Sequence, residues 1–183
     1  MQFVDRPGTY GSSTKGRVSS DADYERAEKA NDAILDMADW TDTYGMSESD
    51  AATEGAAHNC HEQSILTRDG LRQSGVSAMM LEHGANAHTT VVFHAGGQQL
   101  PHGQLPLDMT QWDPDLHISD TWAELPPMPA NHFPKAFIDQ MNEWTGMGYW
   151  VQHEGERMAP NDPRWIAAAL NGDKTVSEDG RTN

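Results

Sequence analysis

At 183 residues the chain has the length of one ordinary domain and can bury a real core. Its formal net charge of −16 gives a surface that repels phosphate backbones, which excludes nucleic acid as the main partner. No stretch approaches the roughly 18 apolar residues of a membrane span.

The first residues, Met1 to Gly8, hold no apolar h-region, so the sequence predicts a soluble chain made in the cytosol without a Sec signal. Six Trp and ten Met argue against full disorder, while the low mean hydropathy of −0.71 leaves room for loops and tails. One cysteine permits no internal disulfide. With no CxxC or Cys/His cluster to mark a zinc site, neither a metal nor a cofactor is expected.

Residues 1–20, with Gly8, Gly11, Gly16 and scattered Ser and Thr, lack a face to bury and read as a flexible leader. From Asp21 the stripe Tyr24, Ala27, Ala30, Ile34, Met37, Ala38 predicts a helix to about Trp40, capped by Asp21 or Asp23. Residues 41–57 read as a linker. A second helix is expected from Cys60 to about Gln73, with Ile65, Leu66 and Leu71 inward and Gly75 as its stop.

Val76 to Leu81 then reads as a strand, Glu82 to Asn86 as a turn and His88 to Phe93 as a β-branched strand. Gly96 to Asp115 is a long loop. Leu116 to Trp122 resumes alternation with Leu116, Ile118 and Asp120 on one side, as a third strand beside the second. Pro126, Pro127 and Pro129 close it, a helix is expected over 134–145 and another over 165–170, and residues 173–183 read as a polar tail. The sequence thus predicts one domain over 21–172 with its core at about 55–125.

Chemistry gathers in that core. A cysteine is nucleophilic as thiolate, and a helix N-terminus favours the anion because backbone N–H groups and the macrodipole face it. Cys60 sits there, among the polar residues His58, Asn59, His61, Glu62 and Gln63, which are wrong for a buried core. Such a nucleophile needs a base and a group to hold the base. His88, ahead of Thr-Thr-Val-Val-Phe, is the candidate base, with His94 in reserve. Asp120 is the orienting acid, with turn capping as its structural rival, and Trp122 is placed to shield the pair.

The segments Asn59-Cys60-His61-Glu62-Gln63, Leu71-Arg72-Gln73-Ser74-Gly75-Val76, Ala87-His88-Thr89-Thr90-Val91-Val92 and Ser119-Asp120-Thr121-Trp122-Ala123 resemble, in order and spacing, the papain-like and transglutaminase-like cysteine enzymes. They are most similar to the bacterial toxin and effector domains of that group. The resemblance covers about residues 55 to 125 and departs from the group at His61, where glycine is usual after the cysteine.

It implies an α+β fold with the nucleophile's helix packed on a small antiparallel sheet and flanked by other helices. It also implies a Cys60-His88-Asp120 triad; separately, Asn59 beside the cysteine is the candidate oxyanion support, and His61 and Trp122 are candidate substrate contacts. The implied activity is amide hydrolysis on a protein, glutamine deamidation ahead of peptide cleavage or transglutamination. The implied setting is secretion or translocation by a bacterial system, with a substrate in another cell and a chaperone, immunity protein or host activator as partner; otherwise the chain is cytoplasmic. A different class, an acidic binding protein with an incidental cysteine, predicts Cys60 buried and far from His88.

Overall fold

The computed structural model describes residues 10–17, 21–84, 87–100 and 102–178. Lys15–Arg17 form a short strand, β1, and helix α1 follows over Asp21–Asp42, with Asp21 and Asp23 in its first turn where carboxylates oppose the positive end of the dipole. Ala27, Ala30 and Met37 of the expected stripe are buried, whereas Tyr24 is exposed. The segment read as a linker contains a further helix, α2 (Glu48–Glu54), capped by Ser47, whose hydroxyl accepts the Asp50 N–H at 3.1 Å.

Helix α3 spans Cys60–Gln73 and ends in a Schellman turn. There the Val76 N–H bonds the Leu71 carbonyl, the Gly75 N–H bonds that of Arg72, and Gly75 takes φ +83°. Strand β2 (Ala78–His83) and strand β3 (His88–His94) pair antiparallel, with Met80 opposite Val91 and His83 opposite His88.

The long loop that follows holds a short strand, β4 (Gly103–Leu105), and a 3-10 turn at Met109–Gln111. Strand β5 (Leu116–Asp120) lies beside β3, and β6 (Leu125–Pro129) beside β5. The prolines expected to close the element are therefore part of a strand. Its place at the sheet edge explains this, because a proline there removes no inner ladder bond.

Helix α4 (Phe133–Gly146) buries Phe133, Phe137, Met141 and Trp144. A hairpin of β7 (Tyr149–His153) and β8 (Glu156–Met158) turns through Glu154 and Gly155, both at positive φ as a type I′ turn requires. Helix α5 (Pro163–Asn171) is capped by Asp162, and strand β9 (Lys174–Ser177) completes the chain's order. Among the described residues no helix is long and apolar enough to cross a membrane.

The fold is α+β. Six strands form one antiparallel sheet in the order β4-β9-β2-β3-β5-β6, and β1, β7 and β8 form a second. Two of the sequence boundaries differ from expectation. Residues 15–17 of the supposed leader pair with β7, and residues 174–177 of the supposed tail lie between β4 and β2. Residues 1–9, 18–20 and 179–183 lie outside the described residues.

Alternation in the large sheet sorts its side chains onto two faces. Leu81, Val92, Ile118 and Val176 join Phe133, Phe137, Met141 and Trp165 in the larger core, beneath α4 and α5. Met80 of the opposite face packs with Ile65 of α3 and Ala52 of α2 in a smaller cluster. The helix that starts at Cys60 thus lies on the other side of the sheet from α4 and α5.

Candidate active site

His88 opens β3 and Asp120 closes β5, two neighbouring strands, and both point to the larger core because they share parity with Val92 and Ile118. His88 Nε2 and Asp120 Oδ2 are 2.6 Å apart, with the two side chains 0% and 1% exposed. The structural role weighed for Asp120 is present as well. Its second oxygen, Oδ1, accepts the Ala123 N–H at 2.9 Å and so caps the turn between β5 and β6.

Cys60, the first residue of α3, is half-buried against the larger core. It lies near enough to the His88 imidazole to favour the ring's protonated form. With Nε2 held by Asp120, Nδ1 is the nitrogen left for it. Among the described residues Nδ1 has no hydrogen-bond partner. Cys60 is thus half-buried, not enclosed as an incidental cysteine is expected to be.

Two further contacts fix this end of α3 to the sheet. Ser64 Oγ donates to the Thr89 carbonyl at 3.0 Å, and the hydroxyls of Thr67 and Thr121 meet at 2.6 Å. The first-turn N–H groups of a helix have no intrahelical acceptor, so those of Cys60 and its neighbour are the donors an oxyanion would find.

Burial pushes the His88 pKa down, but the charge and hydrogen bond of Asp120, together with Cys60, outweigh it and raise the imidazole to about 10. The ring is therefore an imidazolium at neutral pH. Aromatic rings enclose it, with Trp122 at 5.3 Å, Phe137 at 5.5 Å and Trp165 at 5.7 Å between centroids.

The expected substrate contacts are placed differently. Trp122 is 2% exposed and lies edge-on to His88, so it walls the pair off from water and offers no surface to a substrate. His61 turns toward α2, with Nε2 3.7 Å from Glu48 Oε2, in a groove lined also by Ile34, Met37 and Ile65. Successive helical residues diverge by about 100°, which carries it off the Cys60 face. The Asn59 side chain is engaged with residues 12–14, its Oδ1 accepting from Ser12 and Ser13 and its Nδ2 donating to Ser13 Oγ at 2.9 Å. Its backbone N–H donates to Glu62 Oε2 at 2.8 Å, bracing the first turn.

Sequence reasoning missed two groups beside the pair. His83, opposite His88 in the register, is fully buried with Nε2 2.9 Å from Thr90 Oγ1, and Lys174 stands opposite His83 on the other side. Burial first, then the charges of His88 and Lys174, hold the His83 pKa well below its usual value. Lys174 donates to the carbonyls of Leu170 and Gly172 at the end of α5, and burial lowers it to about 8. A titratable residue closing an apolar strand run was the available signal for His83.

His94, the reserve base, lies at the far end of β3. Among the described residues, His94, Asp113 and Asp115 form a group of suitable span for a metal ion. Yet Nδ1 of His94 accepts the Gly96 N–H at 3.0 Å, so the neutral ring carries its proton on Nε2, toward Asp113 at 3.7 Å. A ligating histidine has the reverse pattern, donating through its second nitrogen. The chemistry of this group does not fit a metal.

Comparisons with protein-family models, with curated proteins and with solved structures gave no match for this chain.

Proposed function

We propose that the chain is a cysteine-dependent amide hydrolase acting on a protein, with Cys60 as nucleophile, His88 as acid and base and Asp120 as its orienting group. The observation that carries the reading is the buried His88–Asp120 pair, with Cys60 at the start of α3 close enough to favour the charged ring. The α+β architecture supports it, since the cysteine's helix packs on an antiparallel sheet whose neighbouring strands carry the histidine and the aspartate.

In this reading the Cys60 thiolate attacks the carboxamide carbon, and the first-turn N–H groups of α3 receive the developing oxyanion. The His88 imidazolium gives its proton to the departing nitrogen, which leaves as ammonia from a glutamine side chain or as an amine from a peptide bond. His88, now neutral, takes a proton from water as the water's oxygen attacks the thioester. The acid is released and the thiolate restored. Asp120 keeps the ring oriented throughout and balances its charge.

The likeness to toxin and effector domains favours glutamine deamidation of a protein in another cell, reached through a bacterial delivery system and partnered by a chaperone, immunity protein or host activator. Peptide cleavage and transglutamination use the same three residues. Mass spectrometry of cell-extract proteins after incubation separates them: amide-to-acid conversion at Gln marks a deamidase, new chain ends a peptidase, and amine-linked Gln a transglutaminase. Cys60→Ala is expected to abolish whichever product appears, and a fully active C60A enzyme would overturn the proposal.

A further inference from the structure

The hydroxyl of Ser12 is where three parts of the fold meet. Oγ donates to Asn59 Oδ1 at 2.8 Å and accepts the indole N–H of Trp122 at 3.2 Å and the Thr14 N–H at 3.1 Å. One donor and two acceptors are all that a serine hydroxyl offers, and all are engaged, with the residue 4% exposed. Asn59 directly precedes Cys60, and Trp122 lies edge-on to His88. A single hydroxyl therefore joins the residue before the nucleophile to the ring that bounds the base.

The rest of this short segment tightens the same link. Lys15 Nζ donates to the Trp122 carbonyl at 2.7 Å and lies 4.5 Å over the Trp144 ring, so residues 12–15 hold Trp122 at its indole and at its backbone. The segment is held in turn by Arg26, whose guanidinium donates to the carbonyls of Tyr10, Ser12 and Lys15. Since Arg26 belongs to α1, the strap is anchored outside the elements it connects.

We propose that Ser12 is a positioning residue for the Cys60–His88 pair, setting the separation of thiol and imidazole through Asn59 on one side and Trp122 on the other. This deepens the proposed function and rests on its nucleophile and base. Removing the hydroxyl leaves the buried Trp122 indole N–H without its acceptor and takes one of the donors from Asn59 Oδ1, which keeps those of Ser13 and Thr14. The indole can recover a partner only by shifting, and that shift moves the ring that walls His88.

The test is the rate at which iodoacetamide alkylates Cys60 in the full-length protein across pH 5 to 9, which needs no knowledge of the substrate. Ser12→Ala is expected to slow alkylation near neutral pH about tenfold and to change the shape of the pH profile, within the ~100-fold that a 1 Å misplacement costs. Ser12→Thr, which keeps the hydroxyl, is expected to recover most of the rate. A purely structural tie would lower the melting temperature but leave the profile's shape intact.

Wild-type rate and profile in folded S12A would overturn the inference. If S12A does not fold, Trp122→Phe serves in its place, since it keeps a six-membered ring beside His88 and removes the N–H toward Ser12 together with the pyrrole part of the indole; an unchanged profile there overturns it equally. His88→Asn is the control for the underlying reading. Should H88N leave alkylation unchanged, the nucleophile–base assignment fails and the inference with it. Should H88N slow the reaction while S12A does not, the inference fails alone.

Discussion

Asp120 divides its carboxylate between two tasks: Oδ2 holds His88 Nε2 at 2.6 Å while Oδ1 holds the Ala123 N–H at 2.9 Å. The residue that holds the His88 ring is thus the one that shapes the turn leading to Trp122. Changes at this position act on charge and on geometry, and the two are separable.

Asp120→Asn keeps an oxygen for Ala123 and removes the charge. The His88 pKa falls without its first raising cause, and amide hydrolysis is expected to drop by about 10²–10⁴-fold. Asp120→Ala removes both oxygens from a buried pair and is expected to cost about 3–5 kcal/mol in stability. Urea unfolding at pH 7 should separate them, with D120N the more stable. Equal instability would mean that the charge, not the turn, dominates.

Alkaline pH acts on two groups with opposite sign. His88 is raised from 6.5 to about 10 in the fold, so its stabilisation is complete below about 6.5 and is lost as pH climbs through about 10. Lys174 is lowered from 10.5 to about 8, so its charge destabilises the fold below about 8 and this penalty fades as pH rises toward 10.5. The two partly cancel between pH 8 and 10. Lys174→Met removes the compensating part, and its urea midpoint should fall more steeply over that interval than the wild-type midpoint does.

Acid acts through His83. Held well below its usual pKa, it is neutral in the fold and protonated in the unfolded chain, so the unfolded state binds more protons as pH drops below 6.5 and stability declines. His83→Gln retains hydrogen-bonding capacity toward Thr90 without the titration. Its stability should vary less between pH 6.5 and 4.5 than that of the wild type, and identical pH dependence would exclude His83 as a source.

His61 provides the contrast. Facing Glu48 across the α2–α3 groove, it has no path to the thiol, so His61→Ala should leave the alkylation rate of Cys60 within about twofold of wild type even though the residues are adjacent. A larger loss would place His61 in the site after all.

What the sequence revealed follows from the range of the forces involved. Helix α3 was legible to its ends because its start, its apolar face at Ile65 and its stop at Gly75 are all local signals. His88 and Asp120 stood out as polar residues bounding apolar runs. The rotation that separates His61 from Cys60 was also available in the helical period, but proximity in sequence was given more weight. By contrast, β6 was hidden by prolines tolerated only because the strand is at an edge, and β9 by its short length. Ser12 had no local pattern at all. Its order comes from Asn59, Trp122 and, through the strap's carbonyls, Arg26, partners far along the chain whose approach no window of neighbouring residues encodes.

The placement of α3 and β3 on different cores also bears on how the protein fails. The helix that starts at Cys60 is secured through Ile65 by the small cluster with Ala52 and Met80, while Cys60 itself rests against the larger core around His88. Elements with fewer buried contacts open first. Helix α3 beyond its first turn is therefore the part expected to detach at lower cost, and heating should alter Cys60 reactivity while the sheet and its tryptophan-rich core are still intact. Inactivation and denaturation become two events, ordered by the unequal sizes of the two cores.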